Sequence, residues 1–252
     1  MPDTSLPPAQ GNRITVANAG IKPWKARTTN LRLEYYFGGV GQISFGAFRR
    51  DFENAFGGGL LRATPEFLAL YGLDEASYGG YDVSTQVNVD GVVRMTGVDF
   101  NYKQVLTFLP HWARGLQVFA NGSAQRAKGP SLGSFAGSGY VPRSGSWGVS
   151  LTRDRYNVRA NWNYRGRNRQ DLVAAGRSIQ PDTYNWGRAR LYTDVLGECH
   201  IRKNLSLFAN LRNIGAVDQN LEIYGPSTPP VARLRSRLDS GSLWTFGLKG
   251  TF

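Results

Sequence analysis

Two groups of residues in this sequence are equipped for chemistry: a short acid–histidine series, and arginines interleaved with aromatic rings. Asp194, Glu198 and His200 share one parity of RARLYTDVLGECHI. Carboxylates and an imidazole together can ligate a metal or exchange protons. A strand rising about 3.4 Å per residue spreads Asp194 and His200 over about 20 Å, so the three read as ordinary strand polarity. His111 lies in the turn LPHWARG beside Pro110 and reads as solvated. Asn121 and Asn204 begin Asn-x-Ser sequons on strand positions and read as chance matches. Neither Gly-x-x-x-x-Gly-Lys nor a Gly-x-Gly-x-x-Gly after a strand occurs. The expectation is no enzyme, no metal and no cofactor.

The second group comprises Arg165, Arg167, Arg169, Tyr184, Trp186, Arg188 and Arg190, with the triplet Arg233, Arg235 and Arg237 further on. A guanidinium offers a planar fork for bidentate contacts and stacks on rings, which suits an unknown small-molecule ligand of anionic or sugar-like character. The same arginines could equally pair with lipid phosphates or be solvated, and the sequence leaves both readings open.

These residues must be positioned by strands. In YNVRANWNYR, Tyr156, Val158, Ala160, Trp162 and Tyr164 alternate with Asn157, Arg159, Asn161, Asn163 and Arg165. The same period of two runs through Leu31–Phe37, Ile43–Ala47, Leu116–Ala120, Trp147–Leu151, Ala189–Val195, Leu205–Leu211 and Trp244–Phe252. Phe119 is an apolar exception on a polar parity. The run TPEFLALYG suggests a short helix with Thr64 as N-cap and Pro65 at the first position. Tyr81–Val89 and Val92–Phe108 read as a hairpin turning at Asp90 and Gly91. About nine main strands plus the Tyr81–Val89 segment result.

The connections alternate between tight turns and long loops. In an antiparallel meander that sorts the short connections to one end and the long ones to the other, as in outer-membrane barrels. On that reading Tyr156, Val158, Ala160, Trp162 and Tyr164 face lipid, and Arg159, Asn161, Asn163, Tyr192 and Asp194 line a lumen. A one-residue slip would put Arg159 into lipid, at about 2 to 4 kcal/mol near the midplane, which fixes the register. Tyr35, Tyr36, Phe37, Trp147, Trp162, Tyr164 and Trp244 would supply interface girdles.

The totals agree with such a chain. The 252 residues include 31 Gly, 6 Trp, 12 Tyr and 13 Phe, which suits aromatic-rich strands joined by glycine-containing turns. No apolar run approaches the roughly 20 residues of a membrane helix, a test that a barrel escapes because half of each strand may be polar. No signal peptide is evident in MPDTSLPPAQGNRITV. The single Cys199 excludes an internal disulfide framework. A formal net charge of +12 invites an alternative, a soluble basic β-rich module binding nucleic acid or anionic glycan. The arginines are spread singly and no run of five basic residues occurs, so no nucleic acid is expected. A small autonomous porin-like barrel would require Tyr81–Val89 to span the membrane.

Several segments carry a resemblance. SGSLWTFGLKGTF, with Trp244, Phe246, Leu248 and Phe252 on one parity, resembles the terminal strand of outer-membrane barrels, which the barrel-assembly machinery reads. Glu34–Phe37, Ser44–Arg50 and Asn210–Gly215, in that order, resemble the C-terminal half of TonB-dependent receptor barrels. The resemblance runs from about Ile21 to Phe252. It implies an all-β, antiparallel up-and-down transmembrane β-barrel, partial, of about nine or ten strands, with short periplasmic turns and long extracellular loops. Residues 1–26 are expected to be an N-terminal loop remnant and 27–252 the C-terminal portion of the barrel, with no plug domain. The implied setting is the outer membrane, with its lipid as partner, and the implied function is uptake of a scarce solute such as an iron chelate, cobalamin or glycan. The TonB system would act only through a plug domain missing from this chain.

Overall fold

A computed structural model describes residues 13–38, 40–129, 140–173, 179–180 and 182–250. In chain order the elements are β1 (Arg13–Thr15), β2 (Lys25–Phe37), β3 (Gly41–Glu53), β4 (Phe56–Arg62), α1 (Pro65–Leu70), α2 (Glu75–Tyr78), β5 (Asp82–Asn88) and β6 (Val92–Leu106). There follow β7 (Leu116–Lys128), β8 (Arg143–Thr152), β9 (Tyr156–Arg165), β10 (Asn168–Leu172), β11 (Tyr184–Gly187) and β12 (Arg190–Arg202). The last are β13 (Leu205–Arg212), β14 (Gln219–Tyr224), β15 (Leu234–Leu238) and β16 (Leu243–Gly250).

Nine of these strands form one antiparallel sheet in the order β16-β13-β12-β9-β8-β7-β6-β3-β2. The parity seen in sequence is carried across the sheet by its register. Leu33 lies opposite Phe45, Phe45 opposite Phe100, Phe100 opposite Gly122, Gly145 opposite Tyr164, and Tyr164 opposite Leu191. The outer face so defined is an apolar band in which Leu33, Val98 and Phe246 are 68%, 56% and 66% exposed. An apolar surface this continuous is what lipid contact requires, and it argues against a soluble module.

The opposite, inner face is polar. Three of its phenylalanines, Phe48, Phe119 and Phe208, each lie directly across from a glycine: Gly97, Gly148 and Gly247. A Cβ at Gly148 would sit 2.7 Å from Phe119 Cζ and 2.4 Å from Ala160 O, so the missing side chain is what seats the ring. The exception at Phe119 thus has a packing cause, and Arg159 covers the ring at 5.0 Å.

Short connections share one end. β12 turns to β13 through Lys203 and Asn204, β8 to β9 through Arg153–Arg155, and β2 to β3 at Gly38, whose φ is +43°. The β6–β7 connection is longer, Thr107–Gly115, and is pinned by Arg153, whose Nη2 donates to His111 O and Trp112 O at 3.1 and 3.0 Å. Tyr35 and Phe37 lie by the β2–β3 turn. Trp147 and Trp162 sit opposite each other inside β8 and β9, not at strand ends as the girdle reading expects.

The other end carries two further sheets. β1-β5-β4 forms a small sheet in which β1 runs parallel to β5. Helix α1 begins as expected, with Thr64 accepting from Phe67 N and Pro65 at the first position, and buries Leu68 against Ala63 and Val83. The expected Tyr81–Val89 hairpin with the next strand is not formed: β5 pairs with β4, and β6 pairs with β3 and β7. Alternation and the Asp90-Gly91 turn specify two strands but not which partner each takes. The segment therefore does not span, which removes the small-porin reading. Among the described residues no helix is long and apolar enough to cross a membrane.

Candidate functional site

The second sheet at this end, β10-β11-β14-β15, repeats in order the strands β9-β12-β13-β16 from which its members issue. The loops expected here are thus strands that continue the wall. Register sets Arg169 opposite Trp186 and Trp186 opposite Glu222. One face of the sheet is a stack of cations and rings. Arg167 Cζ lies 4.5 Å from the Trp186 ring and 5.2 Å from Tyr224, Arg169 lies 4.5 Å from Tyr184, and Arg233 lies 4.8 Å from Tyr224. Trp186 and Tyr224 meet edge-on at 6.5 Å. Glu222 supplies one carboxylate, 3.4 Å from Arg167. Stacking of this kind is worth about 0.5 to 2 kcal/mol per pair and holds each guanidinium in plane.

Directly below, Arg165 of β9 and Arg190 of β12 are cross-strand partners. Like charges placed opposite each other are destabilising, by several tenths of a kcal/mol or more. Arg190 Nη1 donates to Gln219 Oε1 at 3.0 Å, but the Nε of both arginines is buried with no hydrogen-bond partner among the described residues. The fold therefore holds two cations together with unspent donors.

The other expected arginines lie apart. Arg188 is exposed, and its backbone N–H donates to Asn220 O. Arg235 donates to Asn185 Oδ1 at 2.7 Å, and Arg237 pairs with Asp218 at 2.6 Å. Tyr224 and Glu222 belong to the cluster and were not singled out in the sequence. Their signal is the alternation of QNLEIY ahead of Gly225, masked by the proline-rich stretch after it.

Arg159, Asn161, Asn163, Tyr192 and Asp194 form a ladder on the inner face, with Asn161 opposite Asp194 and Asn163 opposite Tyr192. Arg159 Nε donates to Asn161 Oδ1 at 2.8 Å, and Ser146 Oγ donates to Asn163 Oδ1 at 2.9 Å. Asp194 accepts from Asn213 N at 2.8 Å, whereas His200 Nδ1 meets Ser206 Oγ at 2.7 Å. Glu198 Oε1 lies 3.9 Å from His200 Nδ1, but Asp194 is engaged elsewhere, and no metal-binding group of three occurs among the described residues. Trp244, Phe246 and Leu248 line up with Leu211, Ala209 and Leu207 on the outer face. Phe252 lies outside the described residues.

An antiparallel wall with an apolar outer band, a polar inner face, short turns at one end and elaborated strands at the other defines an outer-membrane β-barrel. The sequence matches the family described as TonB dependent receptor-like, beta-barrel, over residues 3–214, and the chain belongs to that family. Its members are outer-membrane receptors and transporters rather than enzymes. No curated protein matches. Among solved structures, the copper transporter OprC is similar with a TM-score of 0.60 at 14% identity, covering 92% of this chain and 32% of OprC. The FrpB iron transporter from Neisseria meningitidis (F3-3 variant) gives 0.59 at 14%, covering 95% and 32%. The pyoverdine outer membrane receptor FpvA from Pseudomonas aeruginosa PAO1, bound to pyoverdine, gives 0.60 at 15%, covering 97% and 32%. The chain thus spans about a third of the length of these structures, and at such identities the likeness speaks for the fold.

Proposed function

We propose that this chain is part of the barrel of a receptor that takes up a scarce, anionic, ring-bearing solute across the outer membrane, a chelated metal ion being the best fit. The observation that carries this is the Arg165–Arg190 pair, two opposed cations with buried donors that have no partner among the described residues, beneath the stacked Arg167, Arg169 and Arg233. A ligand bearing several negative charges would relieve their repulsion, and its rings would add to the Trp186, Tyr184 and Tyr224 surfaces. The similar solved structures, named as a copper transporter, an iron transporter and a pyoverdine receptor, add weight to a metal chelate over cobalamin or a glycan. In this reading residues 27–252 are barrel, and the inner-face ladder from Arg159 to Asp194 lines the lumen. Trp244, Phe246, Leu248 and Phe252 present the assembly signal. Energised transport would further require a plug domain and the TonB system.

The test is titration of the chain, folded in neutral detergent, with a trianionic ferric tris-catecholate and with an uncharged ferric hydroxamate, read by tryptophan fluorescence. Binding favours the trianion, and Arg165→Gln with Arg190→Gln weakens it about tenfold or more, as loss of charge-assisted hydrogen bonds predicts. Arg188→Gln leaves it unchanged. Equal affinity for the two chelates, or indifference to the paired substitution, overturns the proposal.

A further inference from the structure

The outer face changes character toward the long-loop end, within the same strands. Ala47, Val98 and Ala124 form the last apolar row. The next outward row is Thr29, Arg49, Thr96 and Arg126, and the one after it Arg27, Asp51, Arg94 and Lys128. Arg143 of β8 lies opposite Ala124 and joins this collar. Asp51 is held at 2.8 Å by both Arg49 and Arg94. The ion pairs among the described residues include none to Arg126, Lys128 or Arg143, all of which are exposed. On the outer face of β2, β3, β6 and β7 the only described carboxylates at this height are Asp51 and Glu53.

Directly below the collar the band is hollowed. A groove of about 610 Å³ is lined by Leu33, Phe45, Ala47, Val98, Gly122 and Ala124, and Arg143 also borders it. A Cβ at Gly122 would meet nothing closer than Ser144 O at 3.6 Å, so close packing does not demand glycine there, and its absence of a side chain deepens the groove. An apolar slot in the lipid-facing surface, bordered toward the outer leaflet by guanidinium groups without an ion-pair partner among the described residues, matches a molecule with an alkyl chain at one end and phosphate at the other.

We propose that this groove and collar form a binding site for a phosphate-bearing, acylated lipid of the outer leaflet. One acyl chain lies over Ala47, Gly122 and Ala124, and a phosphate is clamped by Arg126 and Arg143, with Lys128 beside them. The site is on the opposite face of the wall from the solute cluster and stands independently of that reading.

The experiment is native mass spectrometry of the folded chain in neutral detergent, titrated with diphosphorylated hexa-acyl lipid A, its dephosphorylated form, and phosphatidylglycerol. The diphosphorylated lipid is retained most strongly. Arg126→Gln with Arg143→Gln cuts its retention at least tenfold and brings it to the level of the dephosphorylated form. Gly122→Leu fills the groove and lowers retention of the phosphorylated and dephosphorylated forms alike. Arg155→Gln with Arg202→Gln, at the short-turn end, changes nothing. Retention unaltered in the Arg126/Arg143 variant overturns the proposal, as does phosphatidylglycerol binding equally well. The paired arginine variant alters only exposed side chains, so it remains decisive if Gly122→Leu fails to fold, which far-UV circular dichroism reports.

Discussion

β3 and β6 each contain two regions that obey opposite rules. Over Ile43–Ala47 and Val98–Phe100 the outer face is apolar and the inner face carries Ser44, Gly46 and Asp99. Over Phe48–Glu53 and Val92–Gly97 the outer face carries Arg49, Asp51, Glu53 and Arg94, while Phe52, Val93 and Met95 are buried inside with Ala55 and Val89. Parity is unbroken, yet sidedness inverts. The surroundings decide it: lipid outside and polar groups within for the first stretch, water outside and a packed excursion within for the second. A strand of this wall therefore marks where the hydrocarbon ends, between Ala47 and Arg49.

That contrast can be broken from either side. Phe52→Ala empties the inner cluster at the upper end and is expected to cost about 3 to 5 kcal/mol, measured by denaturant unfolding in phospholipid vesicles. Val98→Arg puts a cation into the band and costs about 2 to 4 kcal/mol in the same assay, whereas Thr96→Arg, two residues higher, costs less than about 1. Equal costs at 96 and 98 would move the boundary. Gly148→Ala crowds Phe119 and the Ala160 carbonyl and is expected to cost about 1 to 3 kcal/mol, with Phe119→Ala in the same chain restoring part of it.

The smallest effect lies at the long-loop end, at the α2 N-cap. Asp74 accepts from Ser77 Oγ and N at 2.8 and 3.0 Å, and chiefly the hydroxyl bond holds its carboxyl below the usual range. A lowered folded pKa means the cap contributes fully above the ordinary carboxylate range and is lost as pH falls through and below it. The protection factor of the Ser77 amide, its exchange rate set against the intrinsic base-catalysed rate, should fall on acidification and stay constant between neutral and mildly alkaline pH. Asp74→Asn should remove the dependence.

The membrane band was legible because lipid imposes a strict period of two: the strand containing Val158, Ala160 and Trp162 has the register its alternation required. Most of the arginine–aromatic cluster was legible as well, since residues at matched distances from paired turns end up level. Tyr224 and Glu222 were not, because β14 and β15 pair across a proline-rich connection whose length hides which residues face each other. The partner of β5 was equally hidden, since alternation fixes the side a residue faces but says nothing of its neighbour. The buried upper face around Met95 and Phe52 could not be read either: an apolar residue on the polar parity has no meaning until the excursion that covers it is known.

The bond from Arg153 to the backbone of His111 and Trp112 bears on the order in which the wall is built. Its guanidinium can reach those carbonyls only once β7 and β8 have come together, because the two turns are separated by both strands. The Thr107–Gly115 connection consequently takes its final shape late, after the hairpin that follows it. A one-residue slip between β7 and β8 would carry Arg153 away and leave that turn unlatched, so the contact ties the shape of the turn to the register of the hairpin beside it.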